Sequence, residues 1–168
     1  KVEVRWFLGF FCDDCESSKN VFKSLTEKFR EDVKFVAQFS FPTRSRYEIM
    51  LAESAACVYE QDASRFFDFF EKAQTLKPPI NDENLNEIVQ SVPGIGFDEY
   101  LKCALSRKHQ GAVDADLKYS QYLGVSQPGL LTVDGFVFLG ANQGAGLTSV
   151  LNRQIASVAP KGFAGVWK

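Results

Sequence analysis

The sequence predicts an α/β fold in which a β-α-β segment and a β-β-α segment enclose an all-helical insertion. Strand-forming residues are concentrated towards both ends of the chain, and helical periodicity follows the first of them directly. Between them, apolar residues recur at helical spacing over a long stretch. These observations assign residues 1–43 and 124–168 to a core and residues 44–123 to the insertion. A length of 168 residues fits one compact domain of this kind.

The first part of the predicted core is strand, helix, strand. Residues 2–11 are rich in β-branched and aromatic side chains without clean alternation, which is typical of a buried strand. Over residues 15–29 the apolar side chains recur at steps of three and four, which indicates an amphipathic helix. Residues 33–41 form the second predicted strand, which ends at Pro42.

The insertion and the end of the chain follow the same reasoning. A hairpin is predicted after the insertion, because Asp134-Gly135 separates two short apolar runs at residues 130–133 and 136–139. A last helix is predicted at residues 147–157. The five helices of the insertion are predicted at residues 49–58, around the phenylalanines of residues 66–70, at residues 85–92, at residues 100–105 and at residues 112–123.

Composition excludes several classes of function. The net charge is −2 and there is no block of basic residues, so the chain does not resemble a nucleic-acid binder. No apolar run reaches the ~18 residues that a membrane helix needs, so no membrane insertion is predicted. The Gly94-x-Gly96 motif follows a helix and lacks a third glycine, which argues against phosphate binding. The sequence predicts neither a cofactor nor a metal.

Cys12 and Cys15 lie where the first predicted strand meets the first helix. Cys12 would lie at the helix N-terminus, where free N–H groups and the dipole favour a thiolate, with Asp13 and Asp14 in the first turn. Cys15, one turn later, could resolve a mixed disulfide formed at Cys12. This placement in a β-α-β unit predicts a redox-active pair. Half of a zinc site and a structural disulfide are the alternatives.

Residues 4–15, VRWFLGFFCDDC, resemble the active-site strand and motif of the DsbA-like thiol-disulfide oxidoreductases. Residues 55–61 resemble the start of that family's helical domain, and residues 97–105 its cysteine-bearing helix. Residues 124–128 resemble the loop before its third core strand. The resemblance covers nearly the whole chain, and it implies a thioredoxin-like core with an inserted helical domain.

The resemblance also implies roles for particular residues. Cys12 is the nucleophile, Cys15 is the resolving thiol, and Pro128 is a cis-proline that faces them. Gln127, where the family usually has threonine or valine, would present its backbone to a substrate peptide. A cis bond before proline is a minority state. A trans turn residue before Gly129 is therefore the alternative for Pro128.

Cys57 and Cys103 lie on separate predicted helices of the insertion. In family members with cysteines at matching places these form a second, structural disulfide, and the resemblance implies one here. Closing a loop of about 46 residues would stabilise the fold by about 4 kcal/mol in the chain-entropy model. Two buried free thiols are the alternative, because spacing does not prove contact. His109, the single histidine, is expected at the surface.

Two departures from the family pattern bear on reactivity. Strong oxidants of the family carry proline and histidine between the cysteines, where this chain has Asp13 and Asp14. Two carboxylates near Cys12 should raise its pKa and outweigh or cancel the helix dipole, which predicts a weaker oxidant. Members often have a buried glutamate at the place of Trp6, so proton transfer from Cys15 would need another group or water.

Together these features predict a thiol-disulfide oxidoreductase that exchanges disulfides with the cysteines of protein substrates. The oxidase, reductase and isomerase directions all stay open. A membrane or soluble redox partner is expected, in an extracytoplasmic oxidising compartment such as a periplasm, cell envelope or secretory lumen, with a signal peptide already removed. The alternative is a redox-inactive thioredoxin-fold interaction module or a structural subunit of a larger assembly.

Overall fold

The computed structural model describes residues 1–138 and 144–158, and its elements follow the predicted order. In the part of the chain described, no helix is both long enough and apolar enough to cross a membrane. The predicted end of the last strand at residue 139 lies outside the described residues. The strands are β1 (Val2–Leu8), β2 (Val33–Phe39), β3 (Leu130–Val133) and β4 (Phe136–Phe138). The helices are α1 (Cys15–Lys28), α2 (Arg46–Gln61), α3 (Phe66–Ala73), α4 (Asp82–Gln90), α5 (Phe97–Leu105), α6 (Gln110–Tyr122) and α7 (Gly144–Val158).

The four strands form one mixed sheet in the order β2-β1-β3-β4. β1 runs parallel to β2, as the crossover through α1 requires, and antiparallel to β3. Asp134 and Gly135 form the predicted two-residue turn between β3 and β4, with φ angles of 45° and 86°. Two positive φ angles are what this hairpin turn demands, and Asp-Gly supplies them. The predicted α/β thioredoxin-like fold class is confirmed.

The helices of the insertion pack onto the sheet through aromatic side chains. Trp6 on β1 lies 5.3 Å from Phe70 on α3, and Phe10 lies 4.9 Å from the same ring, measured between ring centroids. All three side chains are buried in one continuous core. The phenylalanine-rich helix therefore rests against the strand that leads into the CxxC motif. The division of the chain at residues 44 and 123 stays a prediction.

Helix α6 is attached to the edge strand of the sheet by hydrogen bonds. The Phe39 N–H donates to Asp116 Oδ2 over 3.1 Å, and Ser120 Oγ donates to the Phe39 carbonyl oxygen over 3.2 Å. The N–H and carbonyl groups of Phe39, at the edge of β2, thus form hydrogen bonds with side chains of α6. Covering an edge strand also protects it from pairing with another chain.

Two predicted boundaries near the CxxC motif are wrong. β1 ends at Leu8 rather than at residue 11, and α1 begins at Cys15, so that Asp13 and Asp14 precede the helix rather than lying in its first turn. The strand ends because Gly9 leaves the ladder and approaches Pro128 so closely that a Cβ at Gly9 would lie 2.7 Å from Pro128 Cβ. The helix starts late because Asp13 and Asp14 form a turn before it.

Candidate active site

The Cys12–Cys15 pair forms a disulfide in the turn between β1 and α1, with 5.2 Å between the two Cα atoms. The Cys15 N–H donates to the Cys12 carbonyl oxygen over 3.2 Å, which closes the turn. Cys15, the first residue of α1, is 1% exposed, whereas Cys12 is half-buried. An incoming thiol can therefore reach Cys12 but not Cys15.

A second loop, which contains Pro128, lies against this turn. The Gly129 N–H donates to the Phe7 carbonyl oxygen over 2.7 Å and so anchors the loop at the end of β1. A Cβ at Gly129 would lie 3.5 Å from Asp14 Cβ, and the φ of Gly129 is +91°, a region that favours glycine. The structure thus brings the loop of Gln127 and Pro128 beside the CxxC turn. These residues were expected to meet there.

The peptide bond before Pro128 is trans, which corrects the cis bond that the resemblance implied. Within the described ranges the recorded cis bond is Pro78–Pro79, after α3. A trans bond is the more stable state for most residues that precede proline, and the positive φ of Gly129 completes the turn without a cis bond. Gln127 is exposed and borders a groove of ≈ 450 Å³ next to β3.

The two phenylalanines before the motif have different surroundings. Phe10 is buried in the core, while Phe11, the neighbour of Cys12, is 37% exposed. Asp13 and Asp14 are both exposed as well. The rim around Cys12 therefore carries one apolar ring and two carboxylates, and the described side chains of the turn include no basic group.

Trp6 lies beneath the start of α1 and is fully buried. Its indole Nε1–H donates to Ser18 Oγ over 3.1 Å, and that hydroxyl donates to the Cys15 carbonyl oxygen over 3.2 Å. The ring also packs against Phe22 on α1, with 5.2 Å between centroids. An indole N–H is a donor only, so Trp6 holds the first turn of α1 in place but cannot accept a proton there.

A buried carboxyl group on α2 interacts with the backbone of the segment that precedes the motif. Glu48 on α2 is 7% exposed, and Thr43 Oγ1 donates to its Oε2 over 3.4 Å. Burial raises the pKa of Glu48 above its ordinary value, and the hydroxyl of Thr43 and the backbone N–H of Phe10 offset part of that rise. Glu48 was not predicted from the sequence, because the helix dipole alone accounts for an acidic residue in the first turn of a helix.

The second cysteine pair joins α2 to α5. Cys57 and Cys103 form a disulfide with an S–S distance of 2.03 Å, and Cys57 is 2% exposed. His109 was expected to be a surface residue, yet one of its ring nitrogens lies with the two sulfurs in a group no wider than 4.8 Å. The position of His109 beside the two sulfurs was not predictable from spacing, because Cys57, Cys103 and His109 come from α2, α5 and the start of α6.

The fold and the site together define a class of protein: a thioredoxin-like α/β core with an inserted set of helices and a CxxC turn at the end of its central strand. No protein-family model and no curated protein matches the chain. Solved structures do match it, and structures of DsbA proteins are among them.

Three of these structures illustrate the likeness. The thiol-disulfide exchange protein alpha-DsbA2 from Wolbachia pipientis is 24% identical with a TM-score of 0.76, over 92% of this chain and 82% of that one. NmDsbA1 from N. meningitidis is 19% identical with a TM-score of 0.73, over 94% and 84%. Oxidised BdbD from Bacillus subtilis is 18% identical with a TM-score of 0.71, over 92% and 88%. The chain therefore has the DsbA-type fold.

Proposed function

We propose that this protein is a thiol-disulfide oxidoreductase that exchanges disulfides with cysteines of protein substrates. The observation that carries the proposal is the unequal burial of the bonded pair, because exchange needs one reachable sulfur and one protected sulfur. Cys12 is the reachable sulfur and Cys15 the protected one. The likeness in fold to a thiol-disulfide exchange protein supports the same activity.

The exchange balances without a cofactor. A substrate thiolate attacks Cys12 Sγ, a new S–S bond forms, and the Cys12–Cys15 bond breaks with its electron pair on Cys15, which then takes a proton. A second substrate thiolate attacks the substrate sulfur of this mixed disulfide and releases Cys12 as a thiolate. Two substrate thiols have then lost two electrons, which the CxxC pair has gained; of their two protons, one is on Cys15 and the other is in the solvent until Cys12 takes one up. The reverse sequence reduces a substrate disulfide.

Neighbouring groups have separate tasks in this scheme. The exposed Phe11 ring offers apolar contact beside the reacting sulfur, as an unfolded substrate chain requires. Gln127 is an exposed residue beside Pro128, and its backbone is the part that would pair with an extended substrate peptide. Glu48 is a buried carboxyl whose pKa is influenced by the backbone N–H of Phe10, two residues before Cys12, and we assign it the proton-handling task that Trp6 cannot perform.

The acidic turn sets the redox poise of the pair. Asp13 and Asp14 stand between Cys12 and the first residue of α1, so Cys12 lies beyond the turn in which the helix dipole acts most strongly. Both carboxylates disfavour a thiolate at Cys12 and so destabilise the reduced form of the pair. A histidine at one of these places would have the opposite effect. We infer a weaker oxidant than family members with proline and histidine at these two places.

Changing Asp13 and Asp14 together to asparagine should make the Cys12–Cys15 pair more oxidising. Its exchange equilibrium with glutathione should shift by about tenfold, which corresponds to a rise of about 30 mV in reduction potential. The physical reason is that loss of two negative charges stabilises a Cys12 thiolate. An unchanged equilibrium constant would show that the two carboxylates do not control the poise.

The activity implies a location and partners. A disulfide between α2 and α5 persists in an oxidising compartment outside the cytoplasm, such as a periplasm, a cell envelope or a secretory lumen. Protein substrates with free or mispaired cysteines would be available there. A membrane or soluble redox partner would return the CxxC pair to its starting state after each turnover.

The proposal is tested with a peptide that carries two cysteines. The oxidised protein should form the peptide's disulfide, or the reduced protein should open it, and Cys12→Ser should lose both activities. The Cys57→Ala and Cys103→Ala double variant is the matched control, and it should keep the activity at a temperature where it is folded. A wild-type protein that is inactive in both directions would refute the proposal and favour a redox-inactive module.

A further inference from the structure

Three metal-binding side chains meet in the insertion, outside the CxxC site. Cys57 lies on α2, Cys103 lies on α5, and His109 is the residue that precedes α6. Their two sulfurs and one ring nitrogen all lie within 4.8 Å of one another. Among the described residues, no other group of three or more histidine, cysteine or acidic side chains has this geometry.

We propose that the reduced form of this cluster binds a zinc ion through Cys57, Cys103 and His109. Two cysteines and one histidine form a known ligand set for zinc, with water or another group at the fourth position. Thiolate sulfur together with imidazole nitrogen favours zinc over magnesium or calcium, which prefer oxygen. The site is closed in the oxidised protein, because the two sulfurs are bonded to each other at 2.03 Å.

A second observation bears on the histidine. Glu60 Oε2 lies 2.7 Å from His109 Nε2, so an ion bound by this ring while that contact is kept would be bound through Nδ1. Zinc-binding histidines almost always donate their other ring N–H to a carboxylate or carbonyl, which fixes the tautomer and the ring orientation. Glu60 is one turn after Cys57 on α2, so the same helix supplies a ligand and the carboxylate that orients another ligand.

Cys103 and His109 are joined by a short turn of the chain. Cys103 is near the end of α5, and the turn from there to His109 is closed by the Lys108 N–H, which donates to the Cys103 carbonyl oxygen over 3.2 Å. Arg107 in this turn has a φ of +49°. Cys103 and His109 are therefore presented by one compact turn, opposite the rigid helix that carries Cys57.

The distances fit a tetrahedral ion after small movements. With Zn–S bonds of about 2.3 Å, two sulfurs of a tetrahedral site stand about 3.8 Å apart. Breaking the S–S bond allows that separation through side-chain rotation, with the Cα atoms 5.9 Å apart as they are now. The nitrogen must come to about 3.5 Å from each sulfur, a shift of at most about 1.3 Å from the present 4.8 Å limit.

The chemistry balances when a dithiol acts as the reductant. The dithiol supplies two electrons and two protons, becomes a disulfide itself, and leaves Cys57 and Cys103 as thiols. Zinc then displaces both thiol protons as the two Zn–S bonds form, and His109 binds through a neutral nitrogen. The ion would keep α2 and α5 cross-linked in the reduced state, where the disulfide no longer does so.

The histidine side of the cluster is open to a groove. His109 and Glu60 line this groove of ≈ 680 Å³, whose other walls are mostly apolar. Cys103 itself is half-buried rather than fully buried. A metal site needs such an entry path as well as its ligands.

The test uses the full chain with Cys12→Ser and Cys15→Ser, so that the CxxC pair cannot bind metal. After reduction with a phosphine, which does not itself chelate the ion, Co²⁺ should bind in a one-to-one ratio and give the absorption of a thiolate-bound cobalt. Zn²⁺ should displace it. The oxidised protein should bind neither ion at this site.

Two further variants identify the ligands. His109→Ala should weaken zinc binding by at least tenfold, and Glu60→Gln should weaken it by 10–100-fold, the usual effect of losing a partner of a ligand. Glu87→Gln, an exposed glutamate on α4, is the matched control and should leave binding unchanged. Helical circular dichroism of the reduced protein, with and without zinc, reports whether the fold persists or is restored by the ion.

Several results would overturn the proposal. The first is absence of one-to-one binding by the reduced, folded protein. The second is binding of equal strength after His109→Ala. The third is a reduced protein that unfolds and does not regain its helical signal when zinc is added. Each outcome leaves the thiol-disulfide activity of Cys12 and Cys15 untouched, so the two proposals fail independently.

Discussion

Replacing Cys57 and Cys103 together by alanine should lower the free energy of unfolding by about 4 kcal/mol. The two residues are 46 positions apart, and in the chain-entropy model a cross-link over this length restricts the unfolded chain by that amount. In a chain of this size, 1 kcal/mol corresponds to about 2–4 °C in Tm, so the melting temperature should fall by about 8–16 °C. Urea unfolding of the oxidised proteins, with a chelator present, measures the change directly.

The CxxC pair provides the matched control for this prediction. Cys12 and Cys15 are 3 positions apart, and the same relation gives at most about 1.6 kcal/mol for their replacement by alanine. The long-range pair should therefore cost about 2.4 kcal/mol more than the short-range pair. Equal costs for the two double variants would refute the reasoning, because loop length would then have no effect on stability.

Three other substitutions test the surroundings of the site. Trp6→Phe should lower stability by about 1–3 kcal/mol, since it removes the donor to Ser18 and leaves a small cavity, and urea unfolding that shows no loss would contradict this. Gly9→Ala should cost about 1–3 kcal/mol and slow peptide oxidation, because its Cβ would meet Pro128; unchanged rate and stability would show that the loops do not touch. Glu48→Gln should flatten the pH dependence of stability. The pKa of Glu48 is raised above its ordinary value of 4.5 in the folded protein, so its contribution to stability is fully present below pH 4.5 and is lost as the pH rises through the folded pKa. The wild type should therefore lose more stability than the variant from acid to neutral pH.

Periodicity and turn chemistry were sufficient to predict the architecture. The helical spacing of the apolar residues over residues 15–29 and the Asp134-Gly135 dipeptide are local signals, and local signals determine α1 and the β3–β4 hairpin. The ends of elements were less predictable. Gly9 ends β1 because of contact with Pro128, which lies far along the chain, and no window around residue 9 contains that information.

The candidate site was predictable to the extent that it is local in sequence. Cys12 and Cys15 are neighbours in the chain, and a strand followed by a helix indicates their chemistry. Glu48 and His109 approach their partners only through packing of separate helices, so their surroundings could not be derived from spacing. The conformation of Pro128 belongs to the same group, because the structure around Gly129 determines it.

The burial of the four cysteines connects the two proposals. Each pair combines a buried sulfur with a more exposed one, Cys15 with Cys12 and Cys57 with Cys103. Only the Cys12 pair stands at a strand-to-helix turn with an exposed apolar neighbour, and only the Cys103 pair has a histidine beside it. The first arrangement suits exchange with another chain, and the second suits an ion.

In the proposed mechanism Cys12 forms the mixed disulfide with the substrate, and Cys15 breaks it. Trapping of the mixed disulfide tests these two roles most directly. Cys15→Ser, incubated with a peptide activated as a mixed disulfide with an aromatic thiol, should hold the peptide in a stable bond to Cys12, identified by mass spectrometry after proteolysis. Cys12→Ser should trap little or none, because Cys15 is only 1% exposed. Equal trapping by both variants, or trapping at Cys15 alone, would contradict the assignment.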